Sequence, residues 1–195
     1  MAIAIYGGSF NPVHFGHFEI VRQVDLQFEL SKIIVVPAYK NPLKENLPSI
    51  PEHIRLKMLA ETFSECSKVE ISSFELSKRK TSYTYNTLEH FRKLYPQHQL
   101  YLILGEDAFA SFHLWANADK IFELCTLLLF NRQGMESPIS EQSKKQLDHV
   151  HWVKAEIPMV SATEIRSSTL KILKQKNWLH PNAFDTWEAF YKTTI

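Results

Sequence analysis

The stretch Ala2-Ile3-Ala4-Ile5-Tyr6-Gly7-Gly8-Ser9-Phe10-Asn11-Pro12-Val13-His14-Phe15-Gly16-His17 begins as a short unbroken apolar run and halts at two glycines. Such a run, without polar alternation, marks a strand buried on both faces, which is the situation of strands in parallel sheets. Helical spacing follows at once in Ile20, Val21, Val24 and Phe28, and a second β-branched run, Ile33-Ile34-Val35-Val36, ends at Pro37. A strand-helix-strand unit of this kind crosses over right-handed in nearly every instance, so both strands point their carboxyl ends to one edge of the sheet.

The alternation continues along the chain. A Pro-rich loop over residues 37–51 leads to a helix with Leu56, Leu59 and Phe63 on one face, then to a short strand at 69–71. After the polar stretch 77–82, a helix carrying Leu88, Phe91 and Tyr95 precedes the strand Leu100-Tyr101-Leu102-Ile103-Leu104, closed by Gly105. Residues 126–130 and 150–153 read as strands, 133–140 as a loop, 163–174 as a helix, and Phe184, Trp187 and Tyr191 form a packing stripe in the tail. The pattern predicts one domain over residues 1–195. It is an α/β, Rossmann-like, doubly wound parallel sheet with a small C-terminal helical extension, binding ligands beyond the carboxyl ends of its strands.

Composition bounds the function. A chain of 195 residues with 45% hydrophobic content can bury a substantial core. Lys plus Arg number 22 against 21 Asp plus Glu, a net charge of +1, which argues against an extended nucleic-acid or anionic-membrane surface. Any polyanion is therefore gripped locally. No apolar run approaches the ~20 residues of a membrane span, and the apolar opening lacks a basic leader, so it reads as a strand. Cys66 and Cys125 are too few for a disulfide framework and suit the reducing cytoplasm. Whether the chain forms a homo-oligomer is left open.

The turn after the first strand holds Gly7, Gly8, Ser9, Phe10 and Gly16, where backbone amides and a helix dipole can receive an anion. It is neither the dinucleotide fingerprint nor a Walker loop, whose Gly-Lys-Ser/Thr ending is missing. His14 and His17 lie three apart; if Pro12 or Val13 opens the helix, both imidazoles project from one face near its positive end. A triphosphate there would favour a protonated or donating imidazole. The plainer alternatives are two backbone-satisfied histidines or a metal pair, for which no Cys or His cluster supplies further ligands. Farther on, Ser161 with Glu164 forms a capping box and Val160 with Ile165 its hydrophobic staple. That pattern explains a helix start but not Arg166, whose planar guanidinium could add bidentate contacts to a phosphate.

These residues resemble the signature of the nucleotidylyltransferase superfamily, and further motifs resemble the bacterial nicotinate-nucleotide adenylyltransferases. The motifs are Pro42-Leu43-Lys44, Ser82-Tyr83-Thr84, Ile103-Leu104-Gly105-Glu106-Asp107 with Trp115, Asn131-Arg132-Gln133-Gly134, and Ser161-Ala162-Thr163-Glu164-Ile165-Arg166, in the family's order over nearly the whole chain. The resemblance implies His14 and His17 as catalytic residues. It implies ATP contacts from Gly7, Gly8, Ser9, Phe10, Gly16, Gly105, Asp107, Ser161, Thr163 and Arg166. For nicotinate mononucleotide it implies Lys44 and Arg132 at the phosphate, Trp115 stacked on the pyridine ring and the Thr84 amide at the carboxylate. Mg²⁺ is expected on the ATP phosphates, with no protein metal site.

Three positions depart from the family pattern. Asn11 stands where many relatives carry Asp, Asn41-Pro42-Leu43-Lys44 lacks a preceding Pro-Pro-His, and Ala116 follows Trp115 where an aromatic is common. Nicotinamide mononucleotide, another acceptor of the superfamily, and a non-catalytic nucleotide-binding module stay open as alternatives.

Overall fold

The computed structural model describes residues 1–42, 50–130, 149–154 and 156–194. Strands β1 (Ala2–Gly8), β2 (Leu30–Pro37), β3 (Val69–Ile71), β4 (Gln99–Gly105), β5 (Thr126–Phe130) and β6 (Val150–Val153) form one sheet in the order β3-β2-β1-β4-β5-β6. Every pairing is parallel.

Period-two alternation inside the apolar runs divides the core into two layers. Ala4, Tyr6, Ile33, Val35, Ile103, Leu128 and Phe130 face one layer; Ile3, Ile5, Ile34, Val36, Leu102 and Leu129 face the other. The first layer is covered by α1 (Phe15–Gln27), α2 (Glu52–Thr62) and the C-terminal helices. The second is covered by α3 (Phe74–Lys78), α4 (Thr84–Leu94), α5 (Glu106–Ala110), a short 3₁₀ turn at Phe112–Leu114 and α6 (Ala118–Leu124). From β1 the chain moves outward through β2 to β3, then returns to β1's other side as β4 and moves outward again. The reversal between β1 and β4 opens a crevice at their carboxyl ends.

Four details differ from the sequence reading. Helix α1 starts at Phe15, after His14, because the turn through Pro12 keeps His14 extended at φ −146°, ψ 172°. On α2 the fully buried residues are Arg55, Met58, Leu59 and Thr62 rather than Leu56, since α2 packs against the last helix as well as the sheet. The expected helix over 163–174 is two, α7 (Ala162–Ser167) and α8 (Leu170–Lys176), because the extended Ser168 ends the first and the Thr169 hydroxyl caps the second by accepting from the Ile172 N–H. The polar stretch 77–82 begins inside α3, and α5 and α6 are short helices that the apolar spacing does not mark. In the final helix α9 (Pro181–Thr194), Trp187 is buried, and Phe184 and Tyr191 pack partly against the core. No helix among the described residues is long and apolar enough to cross a membrane.

Candidate active site

β1 delivers the chain to the crevice at Gly7 and Gly8, and α1 leaves it at His14. The first helical bonds of α1 run from the His17 and Phe18 amides to the His14 carbonyl, at 2.9 and 3.3 Å. In return the His14 amide donates to Nδ1 of His17 at 3.2 Å. An accepting Nδ1 needs its lone pair, so the neutral His17 ring carries its proton on Nε2, where it is a donor. The two imidazoles lie close together, centroids 3.7 Å apart and planes tilted by 33°. Phe10 meets His17 edge-on at 4.9 Å and Tyr6 edge-on at 5.4 Å, a small aromatic wall that fixes the ring. Phe10 itself is buried at φ 43°, a left-handed backbone that a bulky residue adopts only when its surroundings impose it.

Gly16 is needed for close approach. A β-carbon there would lie 3.1 Å from the His14 ring and 3.3 Å from Val160. That contact brings the segment after β6 against the start of α1. Arg166 completes the junction: one terminal nitrogen donates to the carbonyl of Asn11, the other to the Thr163 hydroxyl at 3.2 Å. Burial holds its pKa below the usual arginine value. The capping box forms as expected, with the Glu164 amide donating to the Ser161 hydroxyl at 3.2 Å and the Ser161 amide to the Glu164 carboxylate at 3.0 Å. Val160 and Ile165 are both buried in the same layer, as a staple requires.

The histidine turn and the arginine helix therefore meet, though not from adjacent strands. β6 is the sheet edge, three places from β1. The chain returns from it with Ile157 and Val160 buried against α1's layer, and Gln27 of α1 exchanges hydrogen bonds with the Lys154 backbone at 2.7 and 2.9 Å. At the end of β4, a β-carbon on Gly105 would stand 2.3 Å from the Asp107 carboxylate, so glycine lets Asp107 fold back over the strand end next to β1.

Beside the turn lies a cavity of about 280 Å³ lined by Gly7, Gly8, Glu75, Ser82, Thr84, Trp115 and their neighbours. Thr84 opens α4, and the helical bonds back to Tyr83 come from Asn86 and Thr87, so the Thr84 and Tyr85 amides precede the hydrogen-bonded ladder. Trp115 packs on Phe112 at 5.2 Å. The structure thus gathers Thr84 and Trp115 around one cavity, and His14, His17, Gly16, Ser161, Thr163 and Arg166 around the adjoining turn. Lys44, Arg132 and the loop at 133–140 lie outside the described residues.

Two participants escaped the sequence reading. Arg55, buried in α2, donates from one nitrogen to the carbonyls of Ser9 and Ala38, each at 2.8 Å. Its signal was present: Arg55, Leu59 and Phe63 follow i, i+4, i+8 on the core face. Glu75, also buried, accepts from the Thr87 hydroxyl while lining the cavity, a contact between two helices that no local pattern announces. The Asn11 amide oxygen accepts from the Ile50 amide at 2.8 Å, a role an Asp could also fill. No cluster of three His, Cys, Asp or Glu able to hold a metal occurs among the described residues.

The profile of a family described as Cytidylyltransferase-like matches residues 5–168. A protein of Clostridium tetani named probable nicotinate-nucleotide adenylyltransferase is 36% identical over 173 residues, 86% of this chain and 86% of its own. An Aliarcobacter butzleri protein of the same name is 35% identical over 137 residues, 70% of this chain and 75% of its own. In fold, the chain superposes on Plasmodium falciparum nicotinic acid mononucleotide adenylyltransferase complexed with APC at a TM-score of 0.79 and 21% identity, covering 97% of this chain and 95% of that one.

Proposed function

Since the chain belongs to the cytidylyltransferase-like family and groups with proteins named nicotinate-nucleotide adenylyltransferase, we propose that it transfers AMP from ATP to nicotinate mononucleotide, giving deamido-NAD and pyrophosphate in NAD biosynthesis. The mononucleotide's 5′-phosphate oxygen forms a bond to the α-phosphorus of ATP. The bond from that phosphorus to the β-phosphate bridge breaks, and pyrophosphate leaves with the electron pair. A phosphate monoester is already anionic at neutral pH, so the chain needs no general base. Its task is to hold two polyanions together and stabilise charge developing on the α-phosphoryl oxygens.

One observation carries the proposal: the Arg166 guanidinium reaches the Asn11 carbonyl inside the histidine turn, so the arginine and the imidazoles can face one triphosphate. His17 Nε2–H and His14 are assigned to the α-phosphate region. Arg166, Ser161 and Thr163 go to the outer phosphates, the Gly7–Phe10 turn with Gly16 to the phosphate chain, and Gly105 with Asp107 to the ribose. Thr84 and Trp115 take the pyridine carboxylate and ring, and Lys44 and Arg132 the mononucleotide phosphate. Mg²⁺ belongs to the ATP phosphates and water in this scheme and would screen their charge. A reducing cytoplasm suits the two free thiols, of which burial pushes Cys125 up to about 12.

Glu75 favours a second reading. A buried acceptor on the cavity wall suits the –NH₂ of nicotinamide mononucleotide better than a carboxylate. Side-by-side kcat/KM for the acid and amide mononucleotides, following pyrophosphate release, decides between them. Turnover of neither, with ATP bound, would leave a nucleotide-binding module instead.

A further inference from the structure

Arg55 is a cation buried to 3% exposure beneath the phosphate turn. Among the described residues no carboxylate pairs with it, and Glu52 acts on it only from a distance. Burying such a charge is costly unless its donors are used. Its Nη1 joins Ser9, just past β1, to Ala38, just past β2, and the Ala38 amide in turn donates to the Gly8 carbonyl at 2.8 Å.

Peptide planarity gives these contacts a direction. In a trans peptide the C=O and the following N–H point oppositely. Anchoring the Ser9 carbonyl on Arg55 turns the Phe10 N–H away from Arg55, and that N–H has no acceptor among the described residues. Anchoring the Ala38 carbonyl likewise turns the Tyr39 N–H away, where it donates to the Ser82 hydroxyl at 3.0 Å. Ser82 is on the wall of the cavity that holds Thr84. One nitrogen therefore sets the Phe10 amide of the phosphate turn and, through Tyr39, the wall of the neighbouring cavity. It also supplies part of the constraint that keeps Phe10 left-handed.

We propose that Arg55 is a positioning residue for adenylyl transfer: it presents the Phe10 N–H to the ATP phosphates, holds Ser82 at the mononucleotide cavity, and sets its buried charge under the triphosphate. This deepens the adenylyltransferase assignment and rests on it.

The test compares wild type, Arg55→Lys and Arg55→Met for kcat, both KM values, ATP affinity by calorimetry, and melting temperature. Losing a hydrogen bond to a charged donor together with its field predicts about a tenfold or larger weakening of ATP binding and a fall in kcat in folded Arg55→Met. Arg55→Lys, which keeps the charge on a shorter stem, should fall between. Kinetics and ATP affinity that match wild type in folded Arg55→Met, with only the melting temperature lowered, would overturn the proposal. If Arg55→Met does not fold, folded Arg55→Lys decides: an ATP KM raised more than about threefold supports it, and wild-type kinetics overturn it. The calorimetric arm separates two failures. Wild type that binds ATP but turns over no mononucleotide sinks the assigned reaction, whereas Arg55 variants that bind ATP as wild type does sink the positioning role.

Discussion

Replacing His17 with Ala removes two things that the geometry keeps distinct. The ring's Nδ1 accepts from the His14 amide at 3.2 Å, closing the start of α1, which leaves Nε2 as the neutral ring's N–H donor. Loss of the helix-start bond costs about 1 kcal/mol, and in a chain of this size each kcal/mol lowers the melting temperature by about 2–4 °C. Loss of a preorganised donor at the reacting phosphorus lowers kcat by about 10²–10³. His17→Asn separates the effects, because its side-chain oxygen occupies the place of Nδ1 and can accept from the His14 amide, yet nothing reaches the place of Nε2. The expectation is that His17→Ala is both less stable and slow, and that His17→Asn melts near wild type but is equally slow. Steady-state pyrophosphate release with saturating ATP and mononucleotide, beside thermal melts, measures both. If His17→Asn ran within threefold of wild type, the Nε2–H would have no part in transfer.

Gly105→Ala would drive its β-carbon into the space of the Asp107 carboxylate, 2.3 Å away. The ATP KM should therefore rise severalfold, with a lower melting temperature because the same β-carbon presses on the buried Phe130 ring at 3.2 Å, and an unchanged KM would remove Asp107 from the ATP site. Trp115→Ala should raise the mononucleotide KM by about 3- to 10-fold through lost ring contact while sparing the ATP KM; Trp115→Phe should recover part of it, and equal effects on both substrates would contradict the ring assignment. His180 packs on Phe18 at 4.6 Å, and burial lowers its pKa from 6.5. The folded chain then binds fewer protons than the unfolded one, so stability falls as the pH drops below the unfolded value. His180→Phe should lose less melting temperature than wild type between about pH 7 and about pH 5, and an equal loss would show that other groups govern that range.

The apolar runs at β1, β2, β4 and β5 declared themselves because central parallel strands are buried on both faces, and burial is written into composition. Glycines, imidazoles and Arg166 at the strand ends were legible for a similar reason, since few residue types can receive a phosphate. The buried charges Arg55 and Glu75 were not. Arg55 and Glu75 look like surface residues in one dimension, and only the packing of α2 and α4 shows which carbonyl or hydroxyl each meets. The break between α7 and α8 has no periodic signal either, because it rests on an extended Ser168 and on one contact from the Ile172 amide to the Thr169 hydroxyl. The same holds for the site's closest junction. That Arg166 and the histidine turn share one sheet edge followed from parallel topology, but their contact depended on a chain segment crossing back from the edge strand over the layer of α1. Local chemistry fixes what a residue can do, whereas its partner is set by long-range packing, whose terms are spread over residues far apart in the chain.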